Sequence, residues 1–363
     1  MDNKKIKIIY TGGGTMGSVS PLLAIHQNLK DREGVSLESL WLGTKNGPEK
    51  EIVLDEGIDF KTITSGKLRR YFSFKNIADI FKIKMGIWQS FWILKKEKPD
   101  VILSAGGFVA VPVVVAAWFL GIPILIHQQD LLPGLANKIC APFATAISVT
   151  FSENLNDYSK KKTFLTGNPV RKQLRKEKES RGELLEKLNL KSEKPILLIV
   201  GGGTGAQAIN DFVWNNLDDL TEMCQVVHLT GKGKSKEIQK VDYRQFEYLK
   251  EDLIDYYFVT DLALSRAGLS FLTELSFLKK ATIVVPIPDS HQEKNAEYFA
   301  DKGAVTYLKQ KELGSGKVIS EIKDLLKNDE KRKKMTENMH NVFGDFSGNK
   351  IVDKIFEIVE KNK

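Results

Sequence analysis

At 363 residues the chain is too long for one ordinary core, so two domains are expected. A hydrophobic fraction of 42% supports packed cores, and two widely separated cysteines, Cys140 and Cys224, exclude a disulfide scaffold and cysteine-ligated zinc. The net charge of +8 asks for an acidic partner; nearly all of it lies in 66–98, where nine Lys/Arg stand against Asp79 and Glu97, a local charge of +7.

The N-terminus, MDNKKIKIIYTGGG, enters a strand at once with no apolar h-region, so no signal peptide is expected. Ile6–Tyr10 reads as the first strand, followed by a glycine loop at 12–17 and a helix to Lys30. Leu37–Leu42 and Ile58–Ile63 read as strands around a helix at Glu49–Glu56. Ser73–Leu94 is a long amphipathic helix with Ser73 as its N-cap. The 101–129 stretch carries no Lys, Arg, Asp or Glu, but Pro112, Gly121 and Pro123 interrupt it. It reads as strand Val101–Ser104, helix Phe108–Leu120 and buried strand Ile124–His127, not as a membrane span. Ala146–Thr150 and Thr163–Thr166 close this half.

Gly167-Asn168-Pro169 is punctuation. A charged helical stretch at Gln173–Lys194 leads to a second half, which opens as the first does: strand Ile196–Val200, glycine loop 201–205, helix. Val226–Leu229, Phe246–Leu249 and Asp261–Ser265 are further strands. Arg266-Ala267-Gly268 is a tight turn into an apolar helix, and Ala281–Pro286 is the next strand. Helices are expected at Glu312–Lys327, Glu330–Val342 and from Asn349, the last with Ile351, Ile355, Ile358 and Val359 on one side, suited to pack back across the linker. Strands alternating with helices twice over predict two doubly wound parallel sheets. The expected divisions are 1–167, 168–345 and a final helix at 346–363.

In open α/β sheets ligands gather where strands end. Four strand ends here carry glycine or polar clusters: 12–18, 104–107, 127–130 and 201–205. Both Gly-Gly-Gly-Thr loops can offer backbone N–H groups to a phosphate at a helix start. Gly12, Gly14 and Gly17 match G-x-G-x-x-G, but the second strand ends Leu42-Gly43-Thr44 with no acidic residue, so a dinucleotide is not expected. Glu274 lies in an apolar helix, where a carboxylate needs partners; the two vicinal hydroxyls of a ribose would occupy both its oxygens. His291, Gln292 and Asn295 share one side of a helix start. In the basic stretch, Phe74, Ile77, Phe81 and Trp88 alternate with Lys82 and Lys84. Aromatics, isoleucine and lysine together suit an anionic bilayer surface, and no nucleic-acid motif is present.

The segments TGGGTMGSVSP (11–21), SGKLRR (65–70), SAGGFVAVP (104–112), HQQDLLPGLANK (127–138), TGNPVR (166–171), VGGGTGAQAIN (200–210), SRAGLSFLTEL (265–275) and HQEKNA (291–296) stand in this order over nearly the whole chain. In this order they resemble the MurG family, lipid-linked N-acetylglucosaminyltransferases of peptidoglycan synthesis. The resemblance implies a GT-B fold, two Rossmann-like domains with a cleft between them. It also implies a peripheral enzyme on the cytoplasmic face of the cell membrane. The implied reaction moves GlcNAc from UDP-GlcNAc to the muramoyl 4-hydroxyl of lipid I, a polyprenyl-diphosphate-linked muramoyl-peptide, inverting the anomeric centre with no metal or other cofactor. Carried onto this sequence, the donor contacts are Thr15, Asn137, Arg171, Gly203, Thr204, Gly205, Arg266, Gly268, Glu274, Gln292 and Asn295. Gly13, Gly14, Gly17, Ser18, Gly106 and Gly107 would meet the acceptor diphosphate, and Trp118 would join Trp88 on the membrane patch.

The family's first loop usually reads GGTGGH, with the histidine as favoured base; here Met16 replaces a glycine and Ser18 the histidine. Its HEQN is His127-Gln128-Gln129-Asp130 here, and a serine common in the second glycine loop is Gly203. Inversion needs a base beside the acceptor hydroxyl, which leaves His127 and Asp130 as catalytic candidates. The departures leave two alternatives, a sister transferase with another lipid-linked acceptor and a UDP-sugar-binding paralogue without turnover.

Overall fold

The computed structural model describes residues 4–66, 75–175, 179–249 and 252–362. It divides into two compact units, 1–172 with 345–363 and 173–344. Among the described residues each unit is built on one parallel sheet flanked by helices.

The first sheet comprises β1 (Lys4–Thr11), β2 (Val35–Gly43), β3 (Asp59–Thr62), β4 (Val101–Ser104), β5 (Ile124–Gln128), β6 (Ala146–Val149) and β7 (Thr163–Leu165), in the order β3-β2-β1-β4-β5-β6-β7. Alternation along β1 sends Ile6, Ile8 and Tyr10 into one core and Ile9 into the core on the other side. Both sides being buried, β4 and β5 read as continuous apolar runs. The final helix, Asn349–Lys361, buries Ile351, Val352, Ile355, Ile358 and Val359 in this unit's core and packs on the helix Ser20–Lys30. The Asn28 amide Nδ2 donates to Ser347 O at 2.8 Å, fixing the chain where that helix begins.

The second sheet comprises β8 (Ile196–Val200), β9 (Gln225–Leu229), β10 (Tyr243–Phe246), β11 (Leu262–Ser265), β12 (Ala281–Val284) and β13 (Thr306–Tyr307), in the order β10-β9-β8-β11-β12-β13. In each sheet strand order reverses beside the first strand, between β1 and β4 and between β8 and β11. Register brings the strand ends level: Thr11 lies opposite Leu42 and Ser104, and Ser265 opposite Val200 and Val284. The loops after these strands therefore emerge side by side at the reversal, where open sheets bind ligands.

Three expectations shift. Among the described residues of 173–194 a short 3-10 turn, Lys172–Leu174, and a helix at Arg181–Lys187 stand in place of the expected helix. Ser180 starts that helix through a reciprocal cap with Glu183, and Asn189 ends it in the left-handed region at φ 52°. The strand expected at Phe246–Leu249 lies three residues earlier, because the buried Tyr243 side chain seats it: its hydroxyl meets His228 Nδ1 at 3.1 Å and accepts from Trp214 Nε1 at 3.1 Å. The helix expected from Glu312 starts at Lys317, after a 3-10 turn and Gly316 at φ 67°. Ser73 and Phe74 lie outside the described residues, as does the side chain of Ile77.

Candidate active site

At the first reversal, β1 turns through Gly12–Gly14 into the one-turn helix Met16–Ser18, and β4 turns through Ala105–Gly107 into the helix Ala110–Phe119. The two loops interlock. A Cβ on Gly107 would lie 2.6 Å from Gly13 O and 3.2 Å from Ser18 Oγ, which leaves no room for one. Ser18 is buried, and its hydroxyl donates to Gly13 O (3.3 Å) and Thr15 O (3.2 Å). The serine at the position where the resemblance leads one to expect a histidine thus braces the loop it belongs to.

From beneath, Glu49 supports the same loop. It opens the helix Glu49–Asp55, is 0% exposed, and accepts from Gly14 N (3.2 Å), Thr44 N (2.8 Å) and Thr44 Oγ1 (2.5 Å). A Cβ on Gly13 would sit 2.3 Å from its Oε1. Sequence reasoning saw only a helix start here; the available signal was a glutamate just after Gly47-Pro48, with more glycines in the facing loop than one turn needs.

His127 is placed otherwise than expected for a base. It lies on β5 with 0% exposure, Nδ1 2.9 Å from Ser148 Oγ and Nε2 2.9 Å from Asn168 Oδ1. Burial pushes its pKa down to about 4, against a smaller upward pull from the Asn168 bond. A neutral, enclosed ring with both nitrogens engaged joins β5 to β6 and to the 166–171 segment; it does not reach a substrate hydroxyl. Asp130, half-buried, follows β5 in the loop, and its carbonyl accepts from Gln128 Nε2 at 2.6 Å. Gln128 Oε1 accepts from Asn137 Nδ2 (2.7 Å) and Tyr158 OH (2.9 Å). Asn137 is 5% exposed and fills the space beside Gly106, its Oδ1 2.8 Å from where a Cβ would stand. It is a brace for that loop more than a lining group. Thr15 is exposed and Arg171 half-buried, both in the first unit.

At the second reversal, the Gly201–Gly205 loop leads from β8 to the helix Gln207–Asn215, with Gly202, Gly203 and Thr204 exposed. Gly205 N donates to Gly202 O at 2.9 Å, and Lys234 Nζ donates to Thr204 O at 2.9 Å, setting a cation against this loop. Beside it, Arg266 follows β11. Its guanidinium donates to Val285 O and Pro286 O, each at 2.9 Å, and to Gln310 Oε1 at 2.7 Å. With these three bonds Arg266 ties the loop after β11 to the loop after β12. Gly268 caps the helix Leu269–Phe277, which carries Glu274 with 7% exposure. Ser290 caps the helix His291–Asp301 by accepting from Gln292 N at 3.2 Å. Asn295 Nδ2 then donates to Ala267 O at 3.2 Å, and Gln292 Nε2 lies 3.9 Å from the Cβ position of Gly268. The 266–268 turn, Gln292 and Asn295 thus converge, although about 25 residues separate them in sequence.

The helix Lys75–Glu97 packs on the helix Ala110–Phe119 through a buried stripe containing Gly86, Ser90 and Leu94. A second stripe, Phe81, Met85, Trp88 and Trp92, is exposed, with Phe81 at 68% and Trp88 at 62%. Trp118 and Phe119 add exposed rings, at 50% and 65%. Lys84 lies 5.9 Å from the Phe81 ring centre and Lys95 5.2 Å from that of Trp92, while Lys82 pairs with Asp79 at 3.2 Å. No helix among the described residues is long and apolar enough to cross a membrane.

The glycosyltransferase family 28 N-terminal domain matches residues 8–149 and the family 28 C-terminal domain residues 196–349. A Clostridium perfringens protein (strain ATCC 13124), "UDP-N-acetylglucosamine--N-acetylmuramyl-(pentapeptide) pyrophosphoryl-undecaprenol N-acetylglucosamine transferase", is 44% identical over 334 residues, covering 90% of this chain and 92% of its own. A Clostridium botulinum protein of the same name (strain Alaska E43) is 39% identical over 364 residues, covering 99% and 98%. Among solved structures, Acinetobacter baumannii MurG superposes with a TM-score of 0.71 at 25% identity, covering 97% of this chain and 99% of that one. The calicheamicin glycosyltransferase CalG4 also gives 0.71, at 10% identity over 99% of both chains, a likeness of fold alone.

Proposed function

The chain belongs to the MurG family of lipid-linked N-acetylglucosaminyltransferases and has its two-domain GT-B fold, and on that premise we propose that it transfers GlcNAc from UDP-GlcNAc to the muramoyl 4-hydroxyl of lipid I, with inversion and without a metal. The observation that carries the donor side is the convergence of the 266–268 turn, Gln292 and Asn295 next to an open glycine loop at a strand-order reversal. Glu274 takes the ribose hydroxyls, Gly268 lets the nucleoside approach the turn, and Gln292 meets the GlcNAc hydroxyls, while the fully buried Asn295 fixes the turn through Ala267 O. Gly203, Thr204 and Gly205 receive the diphosphate at the start of a helix, where the dipole and the nearby Lys234 favour its charge as UDP leaves.

The acceptor belongs to the first unit, its diphosphate against the interlocked 12–18 and 105–107 loops. Gly17, Gly106 and Gly107 face it; Gly14, whose amide is spent on Glu49, acts with Gly13 and Ser18 by shaping the loop. Asp130, a carboxylate in the loop after β5, is the base: its oxygen takes the proton as the 4-hydroxyl oxygen bonds to the anomeric carbon and the bond to UDP breaks. The exposed aromatic stripe with its lysines holds the enzyme on an anionic membrane surface, peripherally and on the cytoplasmic face.

Purified protein given UDP-GlcNAc and a lipid I analogue should release UDP, at the same rate in EDTA. Asp130→Ala should lower kcat by about 100-fold or more with little change in the KM for UDP-GlcNAc. Absence of release above buffer overturns the transferase reading. Met16 and Ser18 motivate the second reading, and release with another polyprenyl diphosphate but not with lipid I would replace the acceptor while keeping the donor chemistry.

A further inference from the structure

The two glycine loops share the run Gly-Gly-Gly-Thr, yet their surroundings differ. The second, at 201–205, is exposed over Gly202–Thr204 and has the Lys234 cation against it. The first, at 12–15, already holds an anion. Glu49 lies wholly buried beneath it, takes the Gly14 amide, and comes so close that Gly13 cannot carry a side chain. A cation does not neutralise this carboxylate among the described residues; three donors, Gly14 N, Thr44 N and Thr44 Oγ1, and the amide-rich start of its own helix do so. Gly47 is held by the same group, since a Cβ there would lie 2.0 Å from Glu49 Oε2.

We infer that Glu49 is an internal anion that braces the first glycine loop from within, taking the Gly14 amide out of ligand binding and making the loop a rigid platform beside which the acceptor is held. The inference rests on the reading of the first unit as the acceptor side. Glu49 is a positioning residue: its carboxylate fixes Gly14 at φ 81°, and through Gly13 O the placement of Ser18 and Gly107. Removing the carboxylate takes the acceptor from the half-buried Gly14 and Thr44 amides at once, which releases the loop. An amide in place of the carboxylate fails as well, because all three partners are donors and one would meet an NH2 group.

The test compares Glu49→Gln with wild type in full-length enzyme, varying lipid I analogue and UDP-GlcNAc separately. The expected result is a fall of about 10-fold or more in kcat/KM for the acceptor, with the KM for UDP-GlcNAc and the calorimetric affinity for UDP unchanged. Thr44→Val, which removes one donor, should move the same parameter less, and the double variant should fall no further than Glu49→Gln alone. Wild-type acceptor kinetics in Glu49→Gln overturn the inference and leave the proposed function standing. A rise in the KM for UDP-GlcNAc with acceptor parameters unmoved overturns the assignment of the loop to the acceptor. Should Glu49→Gln not fold, Thr44→Val carries the same comparison, and unaltered acceptor kinetics there also overturn it.

Discussion

Glu274 and His127 show how differently two polar residues in apolar elements can be read. Glu274 stands in a helix that also buries Leu269, Leu272, Thr273, Leu275 and Ser276, and it is 7% exposed. A carboxylate there that meets vicinal hydroxyls makes charge-assisted hydrogen bonds, each about 1.5–3 kcal/mol. Glu274→Ala should therefore weaken UDP by about 10- to 100-fold, measured by calorimetry. 2′-Deoxy-UDP should bind wild type more weakly than UDP does but bind the variant no worse than UDP; equal affinities for the two ligands in wild type would remove Glu274 from the ribose. His127 carried a similar signal, a polar residue ending an apolar strand. The sequence cannot distinguish its burial, because β5 is enclosed on both sides and alternation gives no outward positions. The partners that settle it, Ser148 and Asn168, lie 21 and 41 residues away. Glu49 left only a faint signal, because Gly14 lies 35 residues away and only the fold brings its amide to the carboxylate beside Thr44.

Elements with a strong period were legible, and those set by tertiary contact were not. β4, β8 and the start of the final helix stand where the apolar runs and the 3.6 period place them. β10 moved because the side-chain hydrogen bonds of Tyr243 outweigh the local apolar run, and the helix within 173–194 ends at Lys187 because Asn189 takes the left-handed region. The helix Lys75–Glu97 was legible in a further sense: too many apolar positions for one packed side became two stripes, one buried and one exposed. Exposed Phe81, Met85, Trp88 and Trp92 follow one helix face, so on the proposed membrane reading they would enter a bilayer surface together. Removing one ring forfeits about 1.5–3 kcal/mol of apolar burial. Trp88→Ala should thus lower binding to phosphatidylglycerol vesicles by about 10-fold or more, followed by sedimentation, while turnover on a water-soluble acceptor and the thermal midpoint stay near wild type. Undiminished vesicle binding would move the membrane contact elsewhere.

Across the molecule, stability should carry the imprint of three enclosed imidazoles. His26 and His127 belong to the first unit and His228 to the second, and burial lowers each to about 4. The ordinary value is 6.5, so below it the unfolded chain binds protons that the folded chain refuses. Stability is therefore complete above pH 6.5 and is lost as pH falls toward about 4. Each ring contributes a slope of up to about 1.4 kcal/mol per pH unit in that window. Carboxylates do not confuse the upper part of it: Glu97, held to about 2 by Lys61 and Lys7, adds its own loss only as pH drops below its ordinary value of 4.5. With two rings against one, the first unit should weaken about twice as steeply as the second between pH 6.5 and 5. The sequence places Trp214 alone in the second unit, and its ring centre stands 6.0 Å from that of His228, so its fluorescence in urea titrations follows that unit separately. The tryptophans of a Trp214→Phe variant report the other. Equal slopes in the two units, or full stability retained down to pH 5, would mean that these rings are hydrated in solution, and would return His127 to the groups able to exchange a proton with substrate.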